Sequence, residues 1–412
     1  MIFKIVRKVK TVLTYFLVYY PIYFFSFLTP RKKNRWVFGA GYNFAENPKY
    51  LYLEVLKKNP EIEAYWITKE RNVYDELVEK KLPVAYIWSL KGINLLFTAG
   101  VYIAYSHLYE SIFFWSLGRA KQVNLWHGIA LKNVGFSKNI KASYYRLKHP
   151  LTKYIYRVFL QHLYRKPNLF LATSDFTVQE FKKSFDLHDK HIVEADYPRC
   201  TILHKSGQEI DQHILDFESV KTKILYEKMK AYSKVILYMP TWRDGDSKYL
   251  EKTGFNYSEI NKLCKQRNLL FIFKLHPKTP LEQLKGVEKY SNLLIVDSKL
   301  DFYPLLPFVN LLITDYSSIY FDFMHVKDVY TLFFPFDYET YIKRDRDLAF
   351  DYDENINGIR VNTFDELLDS LKTESYKNID IEKNKVLYEK FWGKPEDKKD
   401  LILEIKTLVG LS

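Results

Sequence analysis

Short apolar runs that alternate with helical stretches, in two successive sets, constrain the fold of this 412-residue chain more than any other feature. The first set has seven runs, at Trp36–Gly39, Ala64–Thr68, Val84–Trp88, Val101–Tyr105, Gln122–Trp126, Leu169–Thr173 and Ile192–Glu194. The second set has five, at Val235–Met239, Leu270–Lys274, Leu293–Val296, Leu311–Thr314 and Tyr330–Phe334. Continuous apolar strands separated by helices are typical of parallel sheets that are covered on both faces.

The two sets predict an α/β fold with two doubly wound, Rossmann-like domains that face each other across a cleft. One large class of glycosyltransferases has this arrangement. We place the N-terminal domain at residues 34–204 and the C-terminal domain at residues 233–380. A polar linker helix is expected at 205–232, and charged helices at 381–412 are expected to pack back across both domains.

The net charge of +13 is concentrated in two places, the first of which is the N-terminus. Residues 1–35 carry eight Lys or Arg and no acid, and these basic residues flank an uncharged, aromatic-rich run from Thr11 to Pro30. Tyrosine prefers the membrane interface, and Pro21 interrupts the run. We therefore interpret residues 1–33 as a membrane-associating segment, interfacial or re-entrant; a spanning helix and a buried core helix are the alternatives.

The second basic region, residues 111–174, carries eleven Lys or Arg and no acid. Apolar residues at helical spacing within 138–166 predict basic amphipathic helices that face an anionic membrane surface. A core helix with a solvated basic face is the alternative. Nucleic acid would also suit this charge, but no nucleic-acid-binding motif accompanies it, so we do not expect nucleic acid as a partner.

Polar residues follow the predicted strands, where open parallel sheets bind their ligands. His127 and Gly128 come directly after the run Gln122–Trp126. The glycine permits a sharp turn that would project the imidazole outward, and histidine can take a proton from a hydroxyl near neutral pH. A packed histidine in an ordinary turn is the alternative.

Two strands of the second set end in cationic side chains. Arg243, after the run Val235–Met239, could clamp a phosphate in bidentate fashion, or it could pair with Asp244 at the surface. Lys274 and His276 are two residues apart, so in an extended chain they point to the same side. Together they could stabilise charge on a transferring phosphoryl group.

A fourth polar group follows the run Leu311–Thr314. Thr314, Asp315, Ser317 and Ser318 lie at a predicted helix start, where hydroxyls and backbone N–H groups suit a phosphate or pyrophosphate. Ordinary helix capping is the alternative, but it needs only one such residue.

No metal site is predicted. The two cysteines, Cys200 and Cys264, have no histidine partners at the spacing of metal ligands. Two cysteines so far apart also argue against a disulfide framework, and a low cysteine content fits a compartment that faces the cytosol. Asp244 and Asp246 resemble a metal-binding pair, but on a glycine-containing loop a turn is the usual reason for such a pair.

Together these motifs resemble those of the CDP-glycerol glycerophosphotransferase family of teichoic-acid and capsule synthesis. The matching stretches are 126–128 with 131–132, 240–244, 274–277 and 314–318 with 321–323, which includes Asp322. The resemblance implies a GT-B-like fold, no cofactor or metal requirement, and peripheral or monotopic attachment to the cytoplasmic face of the membrane. It also implies a CDP-glycerol or CDP-ribitol donor and a polyprenyl-pyrophosphate-linked saccharide acceptor.

The resemblance further implies direct phosphoryl transfer with release of CMP. Thr314, Ser317 and Ser318 would hold the donor pyrophosphate with help from Arg243 and Lys274. His127 would deprotonate the acceptor hydroxyl, and His276 would stabilise the transition state. We expect a primase or short-chain extender. The alternatives are a sugar transferase of the same fold that uses a nucleotide sugar, and a catalytically dead membrane scaffold.

Two stretches depart from the family pattern. Between the domains, residues 196–201 keep Pro198 and Arg199 but lack the glycine and the acid that are usual there. After the first His-Gly, Ile129 and Ala130 replace the usual Thr-Pro. Both departures bear on the acceptor and leave the donor-binding stretch unchanged.

Overall fold

The computed structural model describes residues 13–106, 112, 114–137, 154, 165–243, 246, 248–344 and 348–411. The chain divides into two compact units. Unit 1 comprises Met1–His127, Lys141–Arg199 and Lys394–Ser412, and unit 2 comprises Gly128–Ile140 and Cys200–Gly393. The helices at 207–230 thus belong to unit 2, and the C-terminal residues from 394 return to unit 1.

Unit 1 contains a seven-stranded sheet in the order β3-β2-β1-β4-β5-β6-β7, and every neighbouring pair is parallel. Its strands are β1 Lys32–Gly39, β2 Glu63–Thr68, β3 Val84–Tyr86, β4 Ala99–Ala104, β5 Lys121–Asn124, β6 Leu169–Ala172 and β7 Ile192–Glu194. All seven were predicted from the apolar runs. Every residue of β4 is buried, as expected for a strand that is covered on both faces.

Unit 2 contains a six-stranded parallel sheet in the order β10-β9-β8-β11-β12-β13. Its strands are β8 Lys234–Tyr238, β9 Leu269–Phe273, β10 Leu293–Ile295, β11 Leu311–Thr314, β12 Tyr330–Phe333 and β13 Ile359–Arg360. The prediction of five strands was correct and incomplete. It missed β13, because a strand of two residues leaves no recognisable apolar run.

Both sheets have a switch point, between β1 and β4 in unit 1 and between β8 and β11 in unit 2. At a switch point the chain leaves neighbouring strands in opposite directions, which opens a crevice at their carboxyl ends. The predicted functional residues at 240–243 and 314–318 lie at or just beyond the carboxyl ends of the two switch-point strands of unit 2. His127 follows β5, the strand next to β4.

Helices connect most of the strands. Within the described residues the α-helices are Tyr20–Ser26, Glu46–Lys58, Arg71–Glu79, Leu90–Thr98, Asp175–Phe185, Gly207–Phe217, Val220–Lys230, Tyr257–Gln266, Ile319–Phe323, Tyr338–Arg344, Phe364–Thr373, Ile381–Trp392 and Leu401–Val409. Side-chain capping boxes begin several of them: Ser206 with Glu209 and Thr363 with Glu366 satisfy backbone N–H groups that the first helical turn leaves unpaired.

The N-terminal segment forms a π-helical turn, Tyr15–Tyr19, that continues into the helix Tyr20–Ser26. Tyr15 and Tyr20 are buried, and Tyr15 stacks on Phe114 at 5.9 Å. Across the described ranges, the chain forms no helix that combines the length and the apolar character needed to cross a bilayer. The predicted amphipathic helices of 138–166 fall almost entirely outside the described residues.

The central strands predict where unit 2 is most sensitive to mutation. Ile313 in β11 is fully buried, so Ile313→Ala removes methyl groups from a packed core and should lower the free energy of unfolding by about 2–5 kcal/mol. Ile224 on the helix Val220–Lys230 is 65% exposed, so Ile224→Ala should change stability by about 0.5 kcal/mol or less. Urea denaturation of both variants measures the difference, and equal losses would contradict this description of the core.

Candidate active site

His127 lies on a sharp turn that begins as soon as β5 ends. Trp126 adopts a left-handed backbone conformation with φ +52°, and Gly128 has φ +136°, a region open only to glycine. The Trp126 ring is buried against Phe170 and Phe185, at 5.6 and 4.7 Å. This packing turns the neighbouring imidazole outward, and His127 is exposed.

A backbone carbonyl determines the protonation pattern of the His127 ring. His127 Nδ1 lies 3.1 Å from the carbonyl oxygen of Tyr105, which follows β4. A carbonyl oxygen can only accept a hydrogen bond, so Nδ1 carries the proton and the lone pair of the neutral ring is on Nε2. His127 is therefore set up to accept a proton through Nε2.

His276 shows the opposite arrangement. It is exposed after β9, its ring stacks on Trp242 at 6.0 Å, and its Nδ1 accepts a 3.1 Å hydrogen bond from the backbone N–H of Lys278. An amide N–H can only donate, so the neutral ring carries its proton on Nε2. His276 is therefore set up as a hydrogen-bond donor.

Arg243 is almost completely buried in unit 2, where carboxylates surround its guanidinium group. It donates to Asp337 through Nε at 2.7 Å and Nη2 at 2.9 Å, and to Asp315 through Nη2 at 2.8 Å. Its Nη1 donates to the carbonyl of Thr241 at 2.6 Å. Asp315 accepts in turn from the backbone N–H groups of Thr241 and Tyr316, at 2.8 and 2.6 Å. This buried ion cluster ties together the loops that follow β8, β11 and β12.

The ion cluster shifts the protonation equilibria around it. Burial lowers the pKa of the Arg243 guanidinium, but the charges of Asp315 and Asp337 outweigh burial and raise that pKa above its ordinary value. Burial, followed by the charges of the same two carboxylates, also raises the pKa of Tyr316. Arg243 therefore stays charged, and the neighbouring phenol stays neutral.

Two further donor-site candidates have partners inside unit 2. Thr314 is fully buried, and its hydroxyl donates to the carbonyl of Met239 at 2.8 Å. Lys274 is 6% exposed and donates to the carbonyls of Asp297 and Ser298, at 3.3 and 2.6 Å. Both side chains hold neighbouring strand ends and loops together.

Ser317 and Ser318 differ from these buried candidates. Both are half-buried, directly after the switch-point strand β11. Ser318 is the N-cap residue of the helix Ile319–Phe323, yet within the described structure its hydroxyl makes no capping hydrogen bond. Helix capping therefore does not explain the second serine, and the predicted phosphate contact stays a prediction.

The remaining candidates have varied surroundings. Asp322 is buried and accepts a 2.5 Å hydrogen bond from the Tyr303 hydroxyl. Arg199 is buried in unit 1, where it contacts the main chain of His127. Asp244 lies outside the described residues. In the part of the chain that the structure describes, no group of three or more His, Cys, Asp and Glu side chains could hold a metal ion.

The sequence of the chain also matches a known protein family. The family of CDP-glycerol:poly(glycerophosphate) glycerophosphotransferases has a model that matches residues 21–399. The chain belongs to this family. The resemblance seen in its motifs is thereby confirmed, and the protein is a transferase of this family.

Known relatives agree with this assignment. A teichoic acid poly(glycerol phosphate) polymerase of Bacillus spizizenii is 26% identical over 386 residues, which cover 91% of this chain and 92% of the relative. The polymerase of the same description from Bacillus subtilis is 24% identical over 362 residues, 86% of this chain, but the match spans only 46% of that longer protein.

A solved structure of the wall teichoic acid polymerase TagF has a TM-score of 0.72 to this chain. The two are 21% identical, and the match covers 100% of this chain and 97% of that one. The predicted α/β fold with two Rossmann-like domains is confirmed, and it is the GT-B-like fold of that polymerase.

The sequence motifs did not indicate that Asn47 and Asp337 contribute to the candidate site of this glycerophosphotransferase. Asn47 is fully buried and contacts the main chain before His127, and Asp337 completes the ion cluster. A weak signal was available for Asp337, because it lies in the loop after β12, whereas Asp315 directly follows β11. Asn47 gave no signal, because it follows β1 only after a long loop.

The ion cluster predicts an asymmetry between two arginines. Arg243→Gln leaves the buried Asp315 and the partly buried Asp337 without their cationic partner and should cost about 3–5 kcal/mol of unfolding free energy. Arg360→Gln removes a more exposed pair with Asp353 and should cost less than about 1 kcal/mol. Urea denaturation compares the two variants, and a similar small loss in both would show that the cluster does not stabilise unit 2.

Proposed function

We propose that the protein transfers glycerol phosphate, or ribitol phosphate, from a CDP-activated donor to a lipid-linked saccharide acceptor in teichoic-acid or capsule-type polymer synthesis. The observation that carries the proposal is the pair of opposite histidine tautomers. His127 offers a lone pair at Nε2 and His276 offers a proton at Nε2. Phosphoryl transfer to a hydroxyl is accelerated by a base that takes the hydroxyl proton and by a donor that stabilises charge on the phosphoryl oxygens.

In the proposed reaction, His127 Nε2 takes the proton of an acceptor hydroxyl, and the oxygen attacks the phosphorus that bears the polyol. A new P–O bond forms, the pyrophosphate P–O bond breaks, and CMP leaves with the bonding electron pair. His276 donates a hydrogen bond to the charge that develops on the phosphoryl oxygens. The proton removed from the acceptor remains on His127 until it is exchanged with solvent.

The donor is assigned to unit 2. Ser317 and Ser318 offer partly exposed hydroxyls at the switch point, so we propose that they contact the donor pyrophosphate. Arg243, Lys274 and Thr314 have partners inside the unit, so we propose that they act by holding the loops that carry the binding groups. The family description, which names CDP-glycerol, supports the choice of donor.

Acceptor-dependent release of CMP tests this function. With CDP-glycerol or CDP-ribitol, a lipid-linked disaccharide and detergent, the wild type should release CMP. His127→Ala should lower kcat by about 10²- to 10⁴-fold through loss of the general base. His276→Ala should lower kcat by about 10²- to 10³-fold through loss of a transition-state donor.

The control for this test is His188→Ala, which changes an exposed histidine of unit 1 and should leave kcat within about twofold of the wild type. Turnover with a UDP- or GDP-sugar, and none with either CDP-polyol, would assign the fold to a sugar transferase and refute the proposal.

We further propose that the N-terminal segment rests on the anionic, cytoplasmic surface of the membrane. Leu17, Phe24 and Leu28 are 71%, 65% and 79% exposed, while the opposite side of the segment is buried in unit 1. Trp88 and Leu90, at 55% and 89%, add further exposed apolar side chains in the same unit. Large exposed apolar side chains among basic residues favour an interfacial position.

Vesicle sedimentation tests the membrane contact. Phe24→Ser with Leu28→Ser should reduce binding to phosphatidylglycerol-containing vesicles at least tenfold, because two inserted apolar side chains are lost. The matched pair Leu215→Ser with Ile224→Ser, 61% and 65% exposed in unit 2, should leave binding unchanged. Equal binding by the wild type and the Phe24 Leu28 variant would rule out this segment as the contact.

A further inference from the structure

We infer that Glu46, Asn47 and Arg199 form a clamp that positions His127 for catalysis. This inference rests on the proposed function, in which His127 is the general base. The clamp residues contact neither donor nor acceptor in this proposal; they act through the main chain that carries the imidazole.

The clamp binds three successive carbonyl groups of the catalytic turn. Asn47 Nδ2 donates to the carbonyl oxygens of Leu125 and Trp126, at 3.1 and 2.9 Å. Arg199 Nη2 donates to the carbonyl oxygen of His127 at 3.1 Å. Side chains from two distant segments thus fix every residue between the end of β5 and the start of Gly128.

The turn requires such partners for two physical reasons. The chain leaves the sheet after β5, so the carbonyls of Leu125, Trp126 and His127 lose their ladder partners, and an unpaired buried carbonyl is costly. In addition, Trp126 holds φ at +52°, a conformation that a bulky side chain adopts only when its surroundings enforce it. The hydrogen bonds from Asn47 and Arg199 pair these three carbonyls, and they also hold the backbone of Trp126 in its left-handed conformation.

The clamp residues are also bonded to one another. The Arg199 backbone N–H donates to Asn47 Oδ1 at 3.1 Å, and Arg199 Nη1 donates to Glu46 Oε2 at 2.5 Å. Asn47 is fully buried and Arg199 is 3% exposed. Glu46 itself has φ +65°, so the start of the helix Glu46–Lys58 is held in a specific conformation where it meets the arginine. The three residues are therefore linked to one another by hydrogen bonds as well as to the turn that carries His127.

The position of the clamp in the chain suits a role in catalysis. Glu46 and Asn47 begin the helix that follows β1, and their clamp holds the main chain that follows β5. The chain leaves unit 1 after His127 and again after Arg199, and the hydrogen bond between Arg199 and the His127 carbonyl joins these two exits. The Tyr105 carbonyl fixes the imidazole while the clamp fixes the backbone, so together they determine where Nε2 points.

Three substitutions test the clamp. Asn47→Asp keeps the shape but places a carboxylate oxygen against the two carbonyls, and Arg199→Lys replaces the planar fork with a single point donor. Glu46→Gln removes the charge that orients the arginine. In assays of CMP release, Asn47→Asp and Arg199→Lys should lower kcat about 10- to 100-fold, the cost of a misplaced catalytic group. The KM for the CDP-polyol should stay unchanged, because unit 2 holds the donor.

Glu46→Gln should produce the same change in kcat with a smaller magnitude. Its matched control is Glu54→Gln on the same helix, where Glu54 pairs with Lys58 at 2.7 Å. The control should keep wild-type kcat and KM. A control that loses as much activity as Glu46→Gln would overturn the clamp.

A double-mutant cycle separates positioning from general damage to unit 1. On the His127→Ala background, Asn47→Asp should lower residual turnover less than twofold, because no imidazole remains to be misplaced. An equal loss on both backgrounds would overturn the inference. If residual turnover falls below detection, the pH dependence of kcat/KM decides: a displaced histidine shifts the acidic limb, whereas structural damage lowers the whole profile without shifting it.

The same experiments distinguish failure of the clamp from failure of the proposed function. A wild type that releases no CMP, or a His127→Ala variant with normal kcat, refutes the proposed function itself. A wild type that depends on His127 while Asn47→Asp and Arg199→Lys keep full kcat refutes only the clamp.

Discussion

The buried contact between Arg243 and the carboxylates of Asp315 and Asp337 organises the polar end of unit 2. The sheet beneath it consists of apolar strands, and the loops that leave those strands carry unpaired backbone groups. Asp315 accepts from two backbone N–H groups of these loops, and Arg243 donates to the Thr241 carbonyl while it pairs with both acids. Charges in such a place are stable only because each one is paired and hydrogen-bonded. Tyr249, Tyr316 and Tyr341 surround the guanidinium at 4.8 to 5.1 Å and shield it from water.

In unit 1 a buried polar side chain also holds the loops together, but this side chain is uncharged. The turn after β5 is held by Asn47, a neutral side chain that donates to two carbonyls and accepts from the N–H of Arg199. In both units buried polar side chains hold the loops at the strand ends, and more accessible polar side chains follow those strands. Ser317 and Ser318, which are half-buried, follow β11 in unit 2, and the exposed His127 follows β5 in unit 1. The division follows from physical chemistry: a group that meets a substrate must be accessible, and its orientation must come from groups that are not.

Predictions from the sequence succeeded where the pattern is local. Seven strands of unit 1 and five of unit 2 follow from apolar runs, because a strand that is buried on both faces must be apolar along its length. The exposed histidines were found because each follows such a strand within a few residues. Roles for Arg243, Lys274 and Thr314 were harder to predict. A cation or hydroxyl after a strand can face a ligand or another loop, and the linear sequence does not distinguish the two.

The sequence by itself thus determined the parallel α/β architecture, the strand ends at which chemistry is expected, and membership in the glycerophosphotransferase family. Only the tertiary structure decided which polar groups meet. Asp337 lies 94 residues from Arg243, and Glu46 lies 153 residues from Arg199, so neither pair leaves a local pattern. The histidine tautomers were also decided in three dimensions. A ring nitrogen is a donor or an acceptor according to the group beside it, and for His127 that group is a carbonyl from a neighbouring strand end, 22 residues away.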